Sequence, residues 1–213
     1  EMTNLWDERA QGYVDSDAHR EGEDLDWIVA AAAGAQKALD VATGGGHVAR
    51  RLREAGLEVV TADPAPGMHP DVICRAEDLP FAEASFDVVA CRTAAHHFDD
   101  FPGAVAELAR VAGASVLLVD TTFMSDEVEE AEALRDPSHV RNYDEQEWRA
   151  AVEAAGLEIV DTQFFEHSFD LAAWLARTGC EGAEAERAVE LLGDRAQDGQ
   201  LTLRKIAIKG VKR

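Results

Sequence analysis

Basic residues are what this chain is shortest of: 20 Lys and Arg stand against 42 Asp and Glu among 213 residues, a formal net charge of −22. A surface this negative repels phosphate backbones and anionic headgroups, which excludes partners held by basic patches, nucleic acid and acidic membranes among them. Cysteine is scarce as well. Cys74, Cys91 and Cys180 are odd in number and lack CxxC spacing, so neither a disulfide framework nor a thiolate zinc site is expected, and all three read as packed thiols. Long apolar runs are missing too. No stretch approaches the ~20 residues that cross a bilayer, and Glu1-Met2-Thr3-Asn4 begins no signal-peptide pattern, so a cytoplasmic protein without membrane contact is expected. There are no internal repeats and no low-complexity linkers. What is present is a 46% hydrophobic content, enough to bury a full core in one domain of ordinary size.

Apolar periodicity alternates between helical and strand-like stretches, the pattern of an α/β domain with a mainly parallel sheet. Leu25, Ile28, Val29 and Ala32 recur at helical spacing and predict a helix over 24–33. Strands are expected at 37–42, 57–62, 72–74, 86–91 and 115–121, with a helix from the glycine run 44–46 to Ala55 and another around Phe101, Ala104, Val105 and Leu108, capped by Asp99 or Asp100. An acidic helix at 126–134 follows, then one marked by Trp148, Ala151, Val152 and Ala155 that ends at Gly156. Longer strands at 157–165 and 201–211 enclose a helical insertion over about 171–196. The last strand carries Arg204, Lys205 and Lys209 and reads as a solvated edge protected by charge.

The segment richest in chemistry is Leu39-Asp40-Val41-Ala42-Thr43-Gly44-Gly45-Gly46-His47-Val48-Ala49, a strand, a tight glycine turn and a helix. Glycine belongs where backbone bends sharply and approaches a ligand without a Cβ in the way. Gly44-x-Gly46-x-x-Ala49 formally satisfies the dinucleotide fingerprint. Asp40, however, ends the first strand immediately before the turn, where a carboxylate opposes a pyrophosphate but suits the ammonium group of S-adenosylmethionine. Asp63, ending the second strand, is placed to accept from ribose hydroxyls of either cofactor.

In order along the chain, Leu39 to Gly46, Ala76-Glu77-Asp78-Leu79-Pro80-Phe81, Ser85-Phe86-Asp87-Val88-Val89 and Ala95-His96-His97-Phe98 resemble the signature blocks of class I S-adenosylmethionine-dependent methyltransferases of the UbiE-like, type 11 group. Arg135-Asp136-Pro137-Ser138-His139-Val140-Arg141 and the closing Ile208 to Arg213 extend the resemblance to an uncharacterised bacterial subgroup, over nearly the whole chain. The resemblance implies a Rossmann-like, seven-stranded, mostly parallel sheet of order 3-2-1-4-5-7-6, its last strand antiparallel, with helices on both faces. It implies a single methyltransferase domain over 2–213: an N-terminal lid and helix (2–34), a cofactor-binding core (35–121) and a substrate-side part (122–213).

Carried over residue by residue, the resemblance assigns S-adenosylmethionine to Asp40, Ala42, Thr43, Gly44, Gly46, Asp63, Ala76, Glu77 and Thr93, with Ala42 replacing the family's usual first glycine. Tyr13, Ser16, His19 and Gly22 match the lid. His139, Arg141 and Tyr143 lie where the family builds acceptor pockets, so the substrate-binding candidates are Tyr13, His19, His139, Arg141 and Tyr143. His96 is the candidate base, since a histidine suits proton removal near neutral pH; its neighbour His97 is expected to face another way. No metal is expected. Two departures stand out: only residues 64–71 separate the second and third strands, too few for a crossover helix, and Arg75 stands where an aspartate often grips adenine, although Arg accepts no hydrogen bond. Methyl transfer to a small-molecule acceptor, by C- or O-methylation, is the expected function, and a homodimer is compatible with it. A nicotinamide-dependent oxidoreductase and a noncatalytic methyltransferase-fold protein are the alternatives.

Overall fold

Period-two alternation in the central strands sends Leu39, Val89, Val116 and Ile206 to one face of a sheet and Ala38, Val88, Leu117 and Ala207 to the other. Both faces are apolar, so both have to be covered. The computed structural model describes residues 21–213. Its strands are β1 (Lys37–Val41), β2 (Glu58–Asp63), β3 (Val72–Ile73), β4 (Phe86–Arg92), β5 (Ala112–Thr121), β6 (Leu157–Asp170), the two-residue β7 (Ala196–Gln197) and β8 (Gln200–Lys212). They are ordered β3-β2-β1-β4-β5-β8-β6, with β7 beside β8. The pairs from β3 to β5 are parallel, and β8 runs antiparallel to both β5 and β6. With β7 set aside, this is the expected seven-stranded order.

Helices close the two faces. On one, α1 (Glu23–Ala31) and α2 (His47–Glu54) bring Leu25, Ile28, Val48 and Leu52 onto the sheet. On the other, α3 (Phe101–Val111) brings Phe101, Val105 and Leu108, and α5 (Glu145–Ala154) brings Trp148 and Val152. The helix starts are written into the sequence: Asp100 accepts from Gly103 N, and Asp144 and Glu147 form a reciprocal capping box. A third, smaller core lies beyond the end of β5. There α4 (Asp126–Arg135), α6 (Leu171–Ala176) and α7 (Gly182–Leu192) gather Val128, Trp174 and Leu192 against Leu201 and Leu203 of β8.

The short crossover behaves as its length requires: between β2 and β3 there is only a single 3-10 turn, Pro66–Met68, and the Asp71 carboxylate accepts from both Thr61 N and Thr61 Oγ1 to hold it. The last strand departs from expectation. It is no edge, because β8 lies between β5 and β6. Lys205 is only 4% exposed, and Lys209 Nζ donates to Ala31 O at the end of α1. These cations serve interior hydrogen bonds, and the alternation that carries Ile206 and Ile208 into the core is the better guide to the strand's place. The strand at 157–165 continues to Asp170, since past a register shift between Ile159 and Asp161 its pairing with β8 runs on to Asp170 opposite Gln200. Cys91 and Cys180 are buried, and Cys74 is half-buried. No helix among the described residues is long and apolar enough to cross a membrane.

Candidate active site

β1 ends at Val41, and the chain turns through Ala42 to Gly46 with φ of 54° at Ala42, 50° at Gly44 and 74° at Gly46. At Gly44 and Gly46 a Cβ would meet nothing within 4 Å. Glycine therefore supplies the left-handed backbone there and leaves the face of the turn open. Ala42 takes the same conformation with a Cβ, at a cost of about 1–2 kcal/mol. Asp63, at the end of β2, fastens the turn by accepting from Gly44 N at 3.0 Å and Ala65 N at 2.9 Å.

Asp40 is 1% exposed, and its Oδ2 accepts from Thr43 Oγ1 at 2.6 Å and Ala49 N at 3.1 Å. Burial nevertheless pushes its carboxyl up to about 7, with the Asp63 charge adding to the effect. Asp40, Thr43, Gly44, Gly45, Arg92 and Thr93 line a first cleft over the glycine turn, together with Ala42. Arg92 is held from behind. Asp24 of α1 accepts from its Nε at 2.8 Å and Nη2 at 3.1 Å, and from Lys205 Nζ at 2.9 Å. Burial works against this carboxylate, but Lys205 and Arg92 outweigh it and hold Asp24 well below the usual range. Two cations on one buried carboxylate tie α1, β4 and β8 together, and loss of one member of such a group typically costs ~3–5 kcal/mol.

Thr93 joins the first cleft to a second, lining both. Its φ of 54° is unusual for a β-branched residue, and it is held by Thr93 N donating to Val119 O at 2.7 Å and by Lys205 Nζ donating to Thr93 Oγ1 at 3.4 Å. Backbone strain of this kind persists where the surroundings over-determine it. The second cleft encloses about 580 Å³, its open mouth included, and is lined on this side by His96, His97, Thr121 and Lys205.

The two histidines occupy a one-turn 3-10 helix, Ala95–His97, after β4. They do not diverge as expected: the tight turn packs the rings with centroids 3.9 Å apart. Their nitrogens still find different partners. His96 Nδ1 is 2.8 Å from Asp120 Oδ1 and 3.0 Å from Asp120 Oδ2, and His96 N donates to Asp120 Oδ2 at 3.0 Å. A carboxylate only accepts, so Nδ1 carries the proton and Nε2 is the nitrogen offered to the cleft. Burial alone would lower the His96 pKa, but the Asp120 charge and hydrogen bond reverse it and raise it. His97 Nδ1 donates to Ser138 O at 3.0 Å, and burial, with the His96 charge beside it, pushes His97 down to about 3. Asp120 thus favours the protonated form of His96, whereas His97 stays neutral.

The loop after α4 wraps this pair. Val140 N donates to His96 O at 2.8 Å, His139 Nε2 is 3.1 Å from Glu129 Oε2, and Ser138 Oγ donates to Asp136 Oδ1 at 2.6 Å. Glu129, Glu132 and His139 bring ligand-type atoms within 4.8 Å of one another. The Asn142 amide donates to both glutamates, filling with hydrogen bonds the place where their charges converge.

Of the sequence candidates, Asp40, Ala42, Thr43, Gly44 and Thr93 share the first cleft, with Gly46 one residue beyond and Asp63 bonded to its turn. Ala76 and Glu77 follow β3, outside that lining; Glu77 takes Arg75 Nη2 at 3.2 Å, and Arg75 also reaches Asp99 at 2.7 Å. Arg141 is engaged by Glu147 at 2.9 Å, and the Tyr143 ring stacks on Phe101 at 4.1 Å. With His139, these two support the loop, and none of the three lines the second cleft. Tyr13, Ser16 and His19 lie outside the described residues. The sequence reading missed Asp120, Glu132, Arg135, Arg177 and Lys205. For Asp120 a signal existed, since α/β sheets place ligands at the carboxyl ends of their strands and Asp120 stands at that end of β5.

A parallel sheet with an antiparallel β8 inserted beside β5, a glycine turn after β1 and a carboxylate closing β2 define the Rossmann-like methyltransferase class. Residues 39–119 match the family described as Methyltransferase domain. The uncharacterized methyltransferase YcgJ of Bacillus subtilis is 31% identical, with all of each chain covered. Its crystal structure superposes with a TM-score of 0.79 over 89% of this chain and 98% of that one, at 30% identity. A putative methyltransferase from Bacillus halodurans gives a TM-score of 0.80 at 28% identity, over 90% and 99% of the two chains. The demethylmenaquinone methyltransferase of Renibacterium salmoninarum is 35% identical over 52% of this chain and 54% of that protein. The chain belongs to the methyltransferase-domain family. Its activity class is methyl transfer, which takes precedence over the nicotinamide-dependent reading.

Proposed function

We propose that the protein transfers a methyl group from S-adenosylmethionine to a hydroxyl oxygen or acidified carbon of a small molecule, with His96 receiving the acceptor's proton. The observation that carries this reading is the His96–Asp120 pair, 2.8 Å between Nδ1 and Oδ1, in a cleft that meets the glycine-turn cleft at Thr93.

The first cleft suits the cofactor's chemistry. Asp40 is a buried carboxylate whose ionised form is only partly compensated by Thr43, Ala49 and Arg92, and a ligand ammonium would add to that compensation; Arg92 lines the same space and fits the methionine carboxylate. The open glycine face admits the ligand backbone, and the Asp63 carboxylate, which closes β2, is the group type that accepts from ribose hydroxyls. When bound, S-adenosylmethionine supplies a sulfonium methyl, an electrophilic carbon that needs no further activation. The protein's part is to hold donor carbon and acceptor ~3–3.5 Å apart and exclude water. At the acceptor, His96 Nε2 would take the proton of the reacting hydroxyl or carbon as that atom bonds to the methyl group, whose bond to the cofactor sulfur would break in the same displacement. Asp120 fixes the His96 tautomer and stabilises the imidazolium.

Thermal shift and calorimetry with S-adenosylmethionine, S-adenosylhomocysteine and NAD test the cofactor half, because binding stabilises the native state according to concentration and affinity. The two adenosyl ligands are expected to raise Tm and NAD to leave it unchanged. Absence of S-adenosylhomocysteine binding at millimolar concentration would sink the proposal and favour a noncatalytic member of the fold.

A further inference from the structure

The second cleft reverses the charge balance of the chain that forms it. Acids outnumber bases 42 to 20 in the sequence, yet among the described residues this cleft is lined by Arg135, Arg177 and Lys205 against the single carboxylate of Glu132. The other acids stand one layer back. Asp120 sits behind His96, Asp24 behind Lys205 at 2.9 Å, and Asp136 beside Arg135 at 3.7 Å. Glu132 is buried and has its pKa raised by that burial, with opposition from His139 and His96. Among the described residues the wall is therefore mainly cationic at its surface, with most of the nearby acids behind it.

Position along the cleft separates these cations. Lys205 lies at the Thr93 end, where it donates to Thr93 Oγ1, and it is already shared with Asp24. Arg135 ends α4 and Arg177 follows α6, so two guanidinium groups arrive from different helices of the smaller core. Trp174 anchors the first of them: its carbonyl accepts from Arg135 Nε at 3.0 Å and its ring lies 4.8 Å from Arg135 Cζ, while Arg177 comes three residues after Trp174, just past the end of α6. Phe169 and His167, with ring centroids 5.2 Å apart, add flat faces from β6. Guanidinium groups recognise carboxylates through paired N–H donors, and ring faces favour planar partners.

We infer that the methyl acceptor is an aromatic carboxylate, its ring against Phe169 and His167, its carboxylate held by Arg135 and Arg177, and its nucleophilic group directed to His96 at the Thr93 end. This rests on the methyl-transfer reading above and adds the acceptor's chemical class. Placing the anion at the α4 and α6 wall leaves the other end of the ring for the reacting atom. That polarity orients the acceptor, which is what an in-line displacement requires of its binding site.

The test uses two probes of nearly the same shape, one anionic and one neutral, 4-hydroxybenzoate and 4-hydroxybenzamide, bound to the full chain saturated with S-adenosylhomocysteine and followed by calorimetry. The carboxylate is expected to bind at least tenfold more tightly than the amide. In Arg177→Met that preference is expected to fall below threefold, and in Arg177→Lys to be partly retained, with S-adenosylhomocysteine affinity unchanged in both. Equal binding of the two probes by the unaltered protein, no binding of either at 10 mM, or a preference that survives Arg177→Met would overturn the inference. The first two outcomes need no variant and so do not depend on folding. Failure of S-adenosylhomocysteine to bind at all would instead remove the methyl-transfer reading, so the two failures are distinguishable.

Discussion

Of the two clefts that meet at Thr93, the first is shaped mainly by backbone and the second by side chains. Around the glycine turn, φ values of 54°, 50° and 74° at Ala42, Gly44 and Gly46 make the surface, and among the described residues only Asp40 and Arg92 put charge on it. In the second cleft, side chains from the turn after β4 and from β5, β6, β8, α4 and α6 converge, and the chemistry lies in how Asp120 divides His96 from His97. The difference teaches where each function can tolerate change. A backbone-built site is robust to side-chain variation and sensitive to strain, whereas a side-chain network loses its property when one partner is exchanged.

The sharpest way to break that comparison is at His96. His96→Gln should lower kcat by about 10²–10⁴, the usual contribution of a positioned base, while S-adenosylhomocysteine affinity stays within twofold of the unaltered protein. A parallel loss of cofactor affinity would mean the two clefts are not separable. Asp120→Asn should lower kcat less, by about 10²-fold, and should also move the pH dependence. Asp120 raises the His96 pKa above its ordinary value, and the base must be neutral, so activity should fall as pH drops through that raised pKa. Without the carboxylate the acid limb should shift to lower pH. An unshifted limb would assign the titration to another group.

Asp40 probes the other cleft and should separate function from stability. Its folded-state pKa is raised to about 7 from 3.8, so the native state binds this proton more tightly than the unfolded chain. Stability should therefore decline as pH rises from about 4 to about 7, with the full cost present above pH 7. Asp40→Asn can still accept from Thr43 and Ala49 without carrying the charge. It should raise the ligand-free Tm at pH 8, have little effect near pH 4, and weaken S-adenosylmethionine binding by about 10–100-fold, the ~1.5–3 kcal/mol of a hydrogen bond to a charged group. A ligand-free protein destabilised at pH 8 by this change would refute the assignment.

The two regions were also unequally legible in the sequence. Turn chemistry is local, so Asp40, Gly44 and the short 64–71 crossover could be read directly, and the alternation of the strands carried the sheet order once the family resemblance was in hand. The second cleft is assembled from residues as distant as His96 and Lys205, and nothing local at Arg177 or Glu132 distinguishes a cleft wall from a solvated helix. Lys205 shows the difficulty. In the sequence it belongs to a basic cluster, but in the fold it is a buried partner of Asp24, 181 residues away. His96 and His97 could be singled out as a pair, yet their opposite pKa shifts depend on Asp120 and Ser138, which no spacing rule connects to them.

The smallest effect tests the strain attributed to the backbone-built cleft. Ala42 has a φ of 54° at the point where the turn leaves β1, and a left-handed conformation costs a residue with a Cβ about 1–2 kcal/mol relative to glycine. Glycine also gives the unfolded chain more freedom, which takes back about 0.4–1 kcal/mol of any gain. Ala42→Gly should therefore stabilise the protein by about 0.5–1 kcal/mol, a rise in Tm of roughly 1–4 °C for a chain of this length, with kcat unchanged because no atom of the second cleft moves. Thr93→Gly is the counterpart. It removes similar strain, but it also deletes the hydroxyl that accepts from Lys205 and frees the backbone where the clefts join, so stability should change little while kcat falls. If both variants behaved alike, the strain at Thr93 would have no part in aligning the two clefts, and the comparison between them would reduce to one of packing.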